Sequence, residues 1–432
     1  MPIKLKIALY IALLSLILLS YSFVAKTLYP TAPEIELPEY GIHHKNIGLL
    51  VKKNDPLSMQ TAEIYQKERG IPTENIFYLD LPDEANISPE KFNQLHQKLT
   101  QKAGDRIQAF VATWQAPYRV NCMSITSALA FGYDKHWCQA SQKKCLPTPN
   151  STYFNANIDT PWSTLKIRPS MLLTGKDISE ISSLIQRGVE SDATRPKANA
   201  YLINTTDAAR SSRKVIFKKF SENFPKNNLL EIHFLDATNE EDDESIAFKH
   251  NILVYETGLA SVPYINTNHY LPGAIADHLT SFGGQGLSEE GQMKAFRWLE
   301  AGVTGSYGTV VEPCNFVQKY PNPSIFIPRY LRGETLIEAY WKSVQQPSEG
   351  LFIGEPLAKP YDLLQVSTLG GTLTIATNRL KAHKKYQLLE WNEKEQRFQK
   401  IPANFRSSRL GNETIIQAKN TYSKKYKLIE IH

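Results

Sequence analysis

The sequence predicts an α/β protein with a mostly parallel sheet flanked by helices, followed by a small all-β domain. Three observations carry this. Short apolar runs such as Ile47–Val51 (IGLLV) alternate with helix-length amphipathic stretches from residue 45 onward, the pattern of a sheet covered on both faces. Between Leu271 and Phe316 two such runs end in small and hydroxyl residues (Thr280, Ser281, Gly283, Gly284; Gly305, Ser306, Gly308). After Gly354–Glu355–Pro356 only short alternating runs occur, without a helix-length pattern.

The elements follow in order. Ile47–Val51 is a buried strand, and Asn54 or Asp55 caps a helix with Pro56 in its first turn. Leu57, Thr61, Ile64 and Tyr65 share one face of that helix, and Gly70 and Pro72 stop it. Ile76–Leu79 is a strand, Pro89–Lys102 a helix and Ile107–Thr113 a strand. Residues 120–171, rich in Asn, Ser, Thr and Pro and bearing Cys122, Cys138 and Cys145, interrupt the pattern as a long insertion. Alternation resumes with a strand at Ala200–Asn204, a helix at Ala208–Phe220, and strands at Ile232–Leu235 and Ile252–Tyr255. Residues 363–432 form the β domain, through Val366–Thr377, Lys385–Trp391, Thr414–Ala418 and Tyr426–Ile431. No internal repeat is visible.

The N-terminus sets the compartment. Residues 7–25 carry no charge and follow Lys4 and Lys6; as a helix they would be roughly 28 Å long, about a bilayer core. The lysines place the N-terminus in the cytoplasm and the rest outside it. Residues 1–27 are expected to be a signal anchor in the inner membrane, with a cleaved signal peptide as the alternative, and residues 28–44 a Pro-rich linker. Export makes disulfides the expected state of the four cysteines. Cys138–Cys145 is the expected bridge; if all four pair, Cys314 joins Cys122. The spacing of the cysteines and His136 matches no standard zinc arms, so neither a metal nor a cofactor is expected. The formal charge of +6 is spread out, and the C-terminal lysines lack interleaved aromatics, which argues against nucleic acid.

Strand-end loops of open α/β sheets are where ligands sit. Asp277, Thr280, Ser281, Gly283, Gly284 and Ser306 are therefore the expected cleft residues. Cys314 is the one soft nucleophile at a strand end, with His278 or His269 as its base and Glu312 to orient it. The packed or disulfide-bonded reading of Cys314 is favoured over the catalytic one. No H-E-x-x-H, G-x-S-x-G or P-loop motif is present, which argues against a zinc protease, an α/β-hydrolase or a nucleotide-binding enzyme.

The runs IGLLVKKNDPLSMQTAEIYQKERGIPTENIFYL (47–79), LPGAIADHLTSFGG (271–284), GVTGSYGTVVEPCNF (302–316) and LRGETLIEAYW (331–341) resemble a family of exported bacterial proteins. That resemblance covers most of residues 45–360 and implies bacteria carrying exosortase-type protein sorting and exopolysaccharide systems; it implies no particular reaction. More distantly, the order of elements is similar to gingipain-like and caspase-like cysteine peptidases, which implies an Ig-like β domain after the α/β core. In those enzymes a His-Gly pair ends one strand and the nucleophilic Cys ends the next. Here the matching ends read YETGLAS (255–261) and HLTSFGG (278–284), so Glu256, Thr257, Thr280 and Ser281 stand there instead. The expectation is an exported pseudopeptidase that binds an exported protein or polysaccharide; the alternatives are a divergent cysteine hydrolase using Cys314 and a structural envelope protein.

Overall fold

The computed structural model describes residues 32–141, 145–239, 242–287, 290–407 and 413–431. The expected membrane segment at 7–25 lies outside these, as do two residues of the acidic stretch 236–244. Among the described residues no helix is long and apolar enough to cross a membrane. The chain divides into two units, Glu39–Leu363 and the segments ending at Pro38 and beginning at Leu364.

The larger unit is built on one sheet of ten strands. In chain order these are β1 (Ile47–Lys52), β2 (Ile76–Leu79), β3 (Ala109–Ala112), β4 (Ser170–Leu172), β5 (Ala198–Asn204), β6 (Leu230–Asp236), β7 (Ile252–Thr257), β8 (Tyr270–His278), β9 (Gly305–Thr309) and β10 (Gly350–Gly354). Their order across the sheet is β2-β1-β3-β4-β10-β9-β8-β7-β5-β6. Every neighbouring pair is parallel except β9–β10, where Gly305 to Thr309 run against Gly354 to Gly350. The sheet is thus two parallel halves joined at one antiparallel seam. From its outer edge each half is wound second strand, first, third, fourth, so the winding repeats although no sequence repeat marks it.

The helices form where local chemistry favours them. α1 (Pro56–Arg69) starts with proline at its first position and is capped by Asp55, which accepts from Ser58 N at 3.0 Å. Gly70 ends it with φ 64°, a left-handed conformation that glycine adopts without penalty. α2 (Pro89–Ala103) repeats the design, with Ser88 as cap. α3 (Ile125–Phe131) and α4 (Pro161–Leu165) lie in the insertion, and α5 (Ile178–Ser191) is capped by Asp177. α6 (Lys214–Asn223) begins six residues later than the sequence suggests, because Asp207 binds the backbone of Ala209 and Arg210 and folds that stretch into a turn. α7 (Phe296–Glu300), α8 (Pro323–Leu331) and α9 (Leu336–Trp341) complete the unit. All six residues of β1 and of β7 are buried, as strands covered on both faces must be.

A polar network in the first half ties helices to the sheet. Arg69 of α1 meets Glu355, just past β10, at 2.7 Å and Asp192, just past α5, at 2.5 Å. Tyr65 donates to Glu355 at 2.8 Å.

The smaller unit contains two four-stranded sheets over a shared apolar core of Leu37, Leu373, Ile375, Leu388, Ile416, Ala418, Tyr426 and Leu428. Its strand Glu34–Glu36 pairs in parallel with Lys425–Ile431. Part of the expected linker at 28–44 is therefore a sheet strand: Ile35 packs against the apolar core, and Leu37, just past the strand, is buried in it. The expected insertion at 120–171 also ends inside the main sheet, since Ser170 and Met171 belong to β4.

Candidate functional site

The carboxyl ends of β7 and β8 lie side by side, with Glu256 paired to Asp277 and Thr257 to His278. Because side chains alternate along a strand, the pairs address opposite faces. On one face Arg213, at the start of α6, places Nη1 2.7 Å from Asp277 Oδ1 and 3.5 Å from Glu256 Oε2, and donates from Nη2 to the Thr257 carbonyl at 2.6 Å. Tyr340 of α9 donates to Asp277 at 3.2 Å. Glu256, Asp277 and Tyr340 are fully buried. Burial, reinforced by the Asp277 carboxylate, raises the Glu256 carboxyl well above its usual range. Burial raises the Asp277 carboxyl too, with Arg213 opposing the rise. Two carboxyls at strand ends are chemically capable of acid–base work, but a dyad sealed from solvent and bound to an arginine cannot reach a substrate.

On the opposite face His278 is also fixed. Its Nδ1 accepts from Trp298 Nε1 at 3.0 Å, so Nε2 carries the proton and donates to the Met293 carbonyl at 3.0 Å. Burial, with Arg213, Arg210 and Lys294 adding to it, pushes its pKa down to about 4.

The other residues singled out in the sequence scatter. His269 precedes β8, at the end of that strand remote from His278, and stacks on His250 with ring centroids 4.4 Å apart. Glu312 is exposed and accepts from the backbone of Cys314 at 2.8 Å. Thr280 is 1% exposed and donates to Gln292 at 2.8 Å. Ser281 is half-buried, and its carbonyl accepts from Thr309 at 2.9 Å. Ser306 is buried in β9. Gly283 and Gly284 lie so close to Gly308 that a Cβ on Gly284 would stand 2.5 Å from the Gly308 carbonyl oxygen. Among the described residues these positions pack the loop after β8 onto β9.

The cysteines pair differently from the expectation. Cys138 bonds Cys122, with Cα atoms 5.4 Å apart, and Cys145 bonds Cys314, at 5.7 Å. Neither Cys138–Cys145 nor Cys122–Cys314 forms. Folding brings the hairpin of Arg119–Val120 and Met123–Ser124 beside the turn that holds Cys138, and this outweighs proximity along the chain. In this state Cys314 has no thiol and is not a nucleophile. Two disulfides accord with an oxidising compartment outside the cytoplasm.

An open pocket of about 850 Å3 lies beside these bridges. Cys122 and Cys138 form part of its wall, with Leu146 adjoining the second bridge and Val311 following β9. Arg119, Lys135 and His136 face it with Asn86, Asn121 and Tyr133. Arg119 and Lys135 form no ion pair among the described residues, and the buried Nε of Arg119 has no hydrogen-bond partner. Asn121 donates to Tyr133 at 3.1 Å. The site was not among the expected ones; its local signal is Arg119 and Asn121 just before Cys122, and Tyr133, Lys135 and His136 just before Cys138.

One set of metal-type donors gathers among the described residues, Glu39, His43 and His44, all within 4.8 Å of one another. Lys45 already holds the Glu39 carboxylate at 2.7 Å. Comparison with known proteins matched no family, no curated protein and no solved structure.

Proposed function

We propose that this chain is an exported, membrane-anchored, peptidase-like binding protein of the cell envelope that has no hydrolytic centre and holds an acidic polysaccharide in the disulfide-walled pocket. The observation that carries the reading is Arg119, which lines the pocket and forms no ion pair among the described residues. Arginine offers a planar fork that matches a carboxylate, and Lys135 adds charge beside it. Asn86, Asn121 and Tyr133 supply donors and acceptors for sugar hydroxyls, while Leu146 and Val311 offer apolar surface to a ring face. The volume is that of a small-ligand site. The resemblance to exosortase-associated proteins, and the Glu256, Thr257, Thr280 and Ser281 that replace a peptidase dyad, support the same reading.

The test is calorimetric titration of the exported chain with oligogalacturonate, against its methyl-esterified form as a neutral control. Binding of the acid that falls at least about tenfold in Arg119→Ala and in Lys135→Ala is expected. Equal binding of the ester, or variants that bind like the parent, would refute the proposal.

A further inference from the structure

Strand β2 is an outer edge of the ten-stranded sheet and, among the described residues, pairs only with β1. The Leu79 carbonyl accepts from Lys53 N at 2.8 Å, so the polar groups of Leu79 and Phe77 face β1. By alternation, those of Ile76 and Tyr78 face outward. The Ile76 N–H is already used by the Thr73 carbonyl, which leaves the Ile76 carbonyl and both groups of Tyr78 on the open side.

The two faces of this edge differ. On the α2 side a groove of about 810 Å3 runs between β2 and the helix. Lys91, Lys98 and Lys102 line it from α2, at spacings that keep them on one helix face, and Lys53 joins them from the end of β1. All four are exposed and form no ion pair among the described residues; Asp80 is the one carboxylate lining the same groove. On the α1 side a second groove, of about 600 Å3, is lined by Met59, Ala62, Ile76 and Tyr78 together with Gln60 and the exposed Glu63. Tyr78 is 56% and Met59 48% exposed there.

We infer that the β2 edge docks an extended acidic peptide from another exported protein, which adds to the sheet as an eleventh strand. An added strand sends alternate side chains to opposite faces. Its acidic residues would then meet the four lysines, and its apolar residues would lie on Tyr78, Ile76 and Met59. Lysines at a free edge also deter pairing with other sheets. Here they occupy one face only and leave the aromatic face uncovered, so they select among strands by charge. The site is separate from the pocket at Arg119 and does not depend on its ligand.

The probe is a short fluorescent peptide alternating Glu with Val and Tyr, followed by anisotropy with the whole chain. Controls are an oligoglutamate of equal charge and two N-methylated peptides, each lacking the N–H groups of one edge. The alternating peptide is expected to bind, and Lys98→Glu with Lys102→Glu to weaken it at least about tenfold. Methylation of one edge should abolish binding and methylation of the other should spare it, a readout that leaves the protein fold untouched. Three results overturn the inference: no binding of the alternating peptide, oligoglutamate binding as tightly, or self-association of the chain that the same lysine variants remove.

Discussion

Cys145 and Cys314 are 169 residues apart in sequence and bonded in the structure, so one covalent link closes a loop containing six of the ten strands of the main sheet. On the chain-entropy model such a closure stabilises by about 5 kcal/mol, against roughly 3 kcal/mol for the 16-residue Cys122–Cys138 loop. The variant Cys145→Ser/Cys314→Ser is therefore expected to lose more stability than Cys122→Ser/Cys138→Ser, measured by denaturant unfolding. Thiol labelling of the folded exported chain should modify none of the four cysteines until reductant is added. Rapid labelling of Cys314 without reductant would reopen thiol catalysis.

Arg213 and Glu256 should respond unequally to substitution. Arg213→Met leaves the buried Asp277 charge without its partner and is expected to cost about 3–5 kcal/mol. Glu256→Gln replaces a carboxyl whose ionised form burial disfavours, so its cost should stay below about 1 kcal/mol. Urea unfolding of both variants at neutral pH checks the pair, and a Glu256→Gln loss as large as that of Arg213→Met would mean that Glu256 is ionised.

His278 makes stability depend on pH. Its folded pKa, about 4, lies below the unfolded value of about 6.5. The folded state thus binds fewer protons, and stability present above pH 6.5 is lost as pH falls through that window. At about 1.4 kcal/mol per unit the loss is roughly 3 kcal/mol by pH 4. His278→Gln can still donate to Met293 and accept from Trp298, so it should fold at neutral pH and flatten this part of the profile.

Gly308 distinguishes packing from ligand binding. A Cβ there would sit 2.4 Å from the Gly283 carbonyl carbon, where only backbone movement gives relief. Gly308→Ala is expected to destabilise by about 3 kcal/mol or more and to leave oligogalacturonate affinity unchanged in the folded fraction. A stable Gly308→Ala that loses binding would return the ligand to the loop after β8.

Local signals were readable in sequence. Pro56 with Asp55 and Gly70 framed α1, and the β1 and β2 runs announced themselves by composition. α5 has as clear a signal, with Asp177 as cap and Ile178, Ile181, Leu184 and Ile185 at helical spacing, yet the expected elements omit it. What local pattern cannot carry is partnership. Nothing within Gly350–Gly354 says that it will lie between β4 and β9, parallel to one and antiparallel to the other. The same holds at the site. The strand ends were locatable, but whether Asp277 faces solvent or Arg213 depends on a helix more than sixty residues earlier in the chain. Cysteine pairing failed for this reason, since the hairpin beside Cys122 closes locally but is anchored to Ala85 and Ser348, distant in sequence.

The place of β10 has a consequence for biogenesis. It completes the first half of the sheet beside β4, although it is made 180 residues later, after the whole second half. A nascent chain halted before Gly350 cannot close either half against the other, and its β4 and β9 edges remain open. Sheets whose pairings span such separations form slowly, so the main sheet is completed only after its last strand has been made.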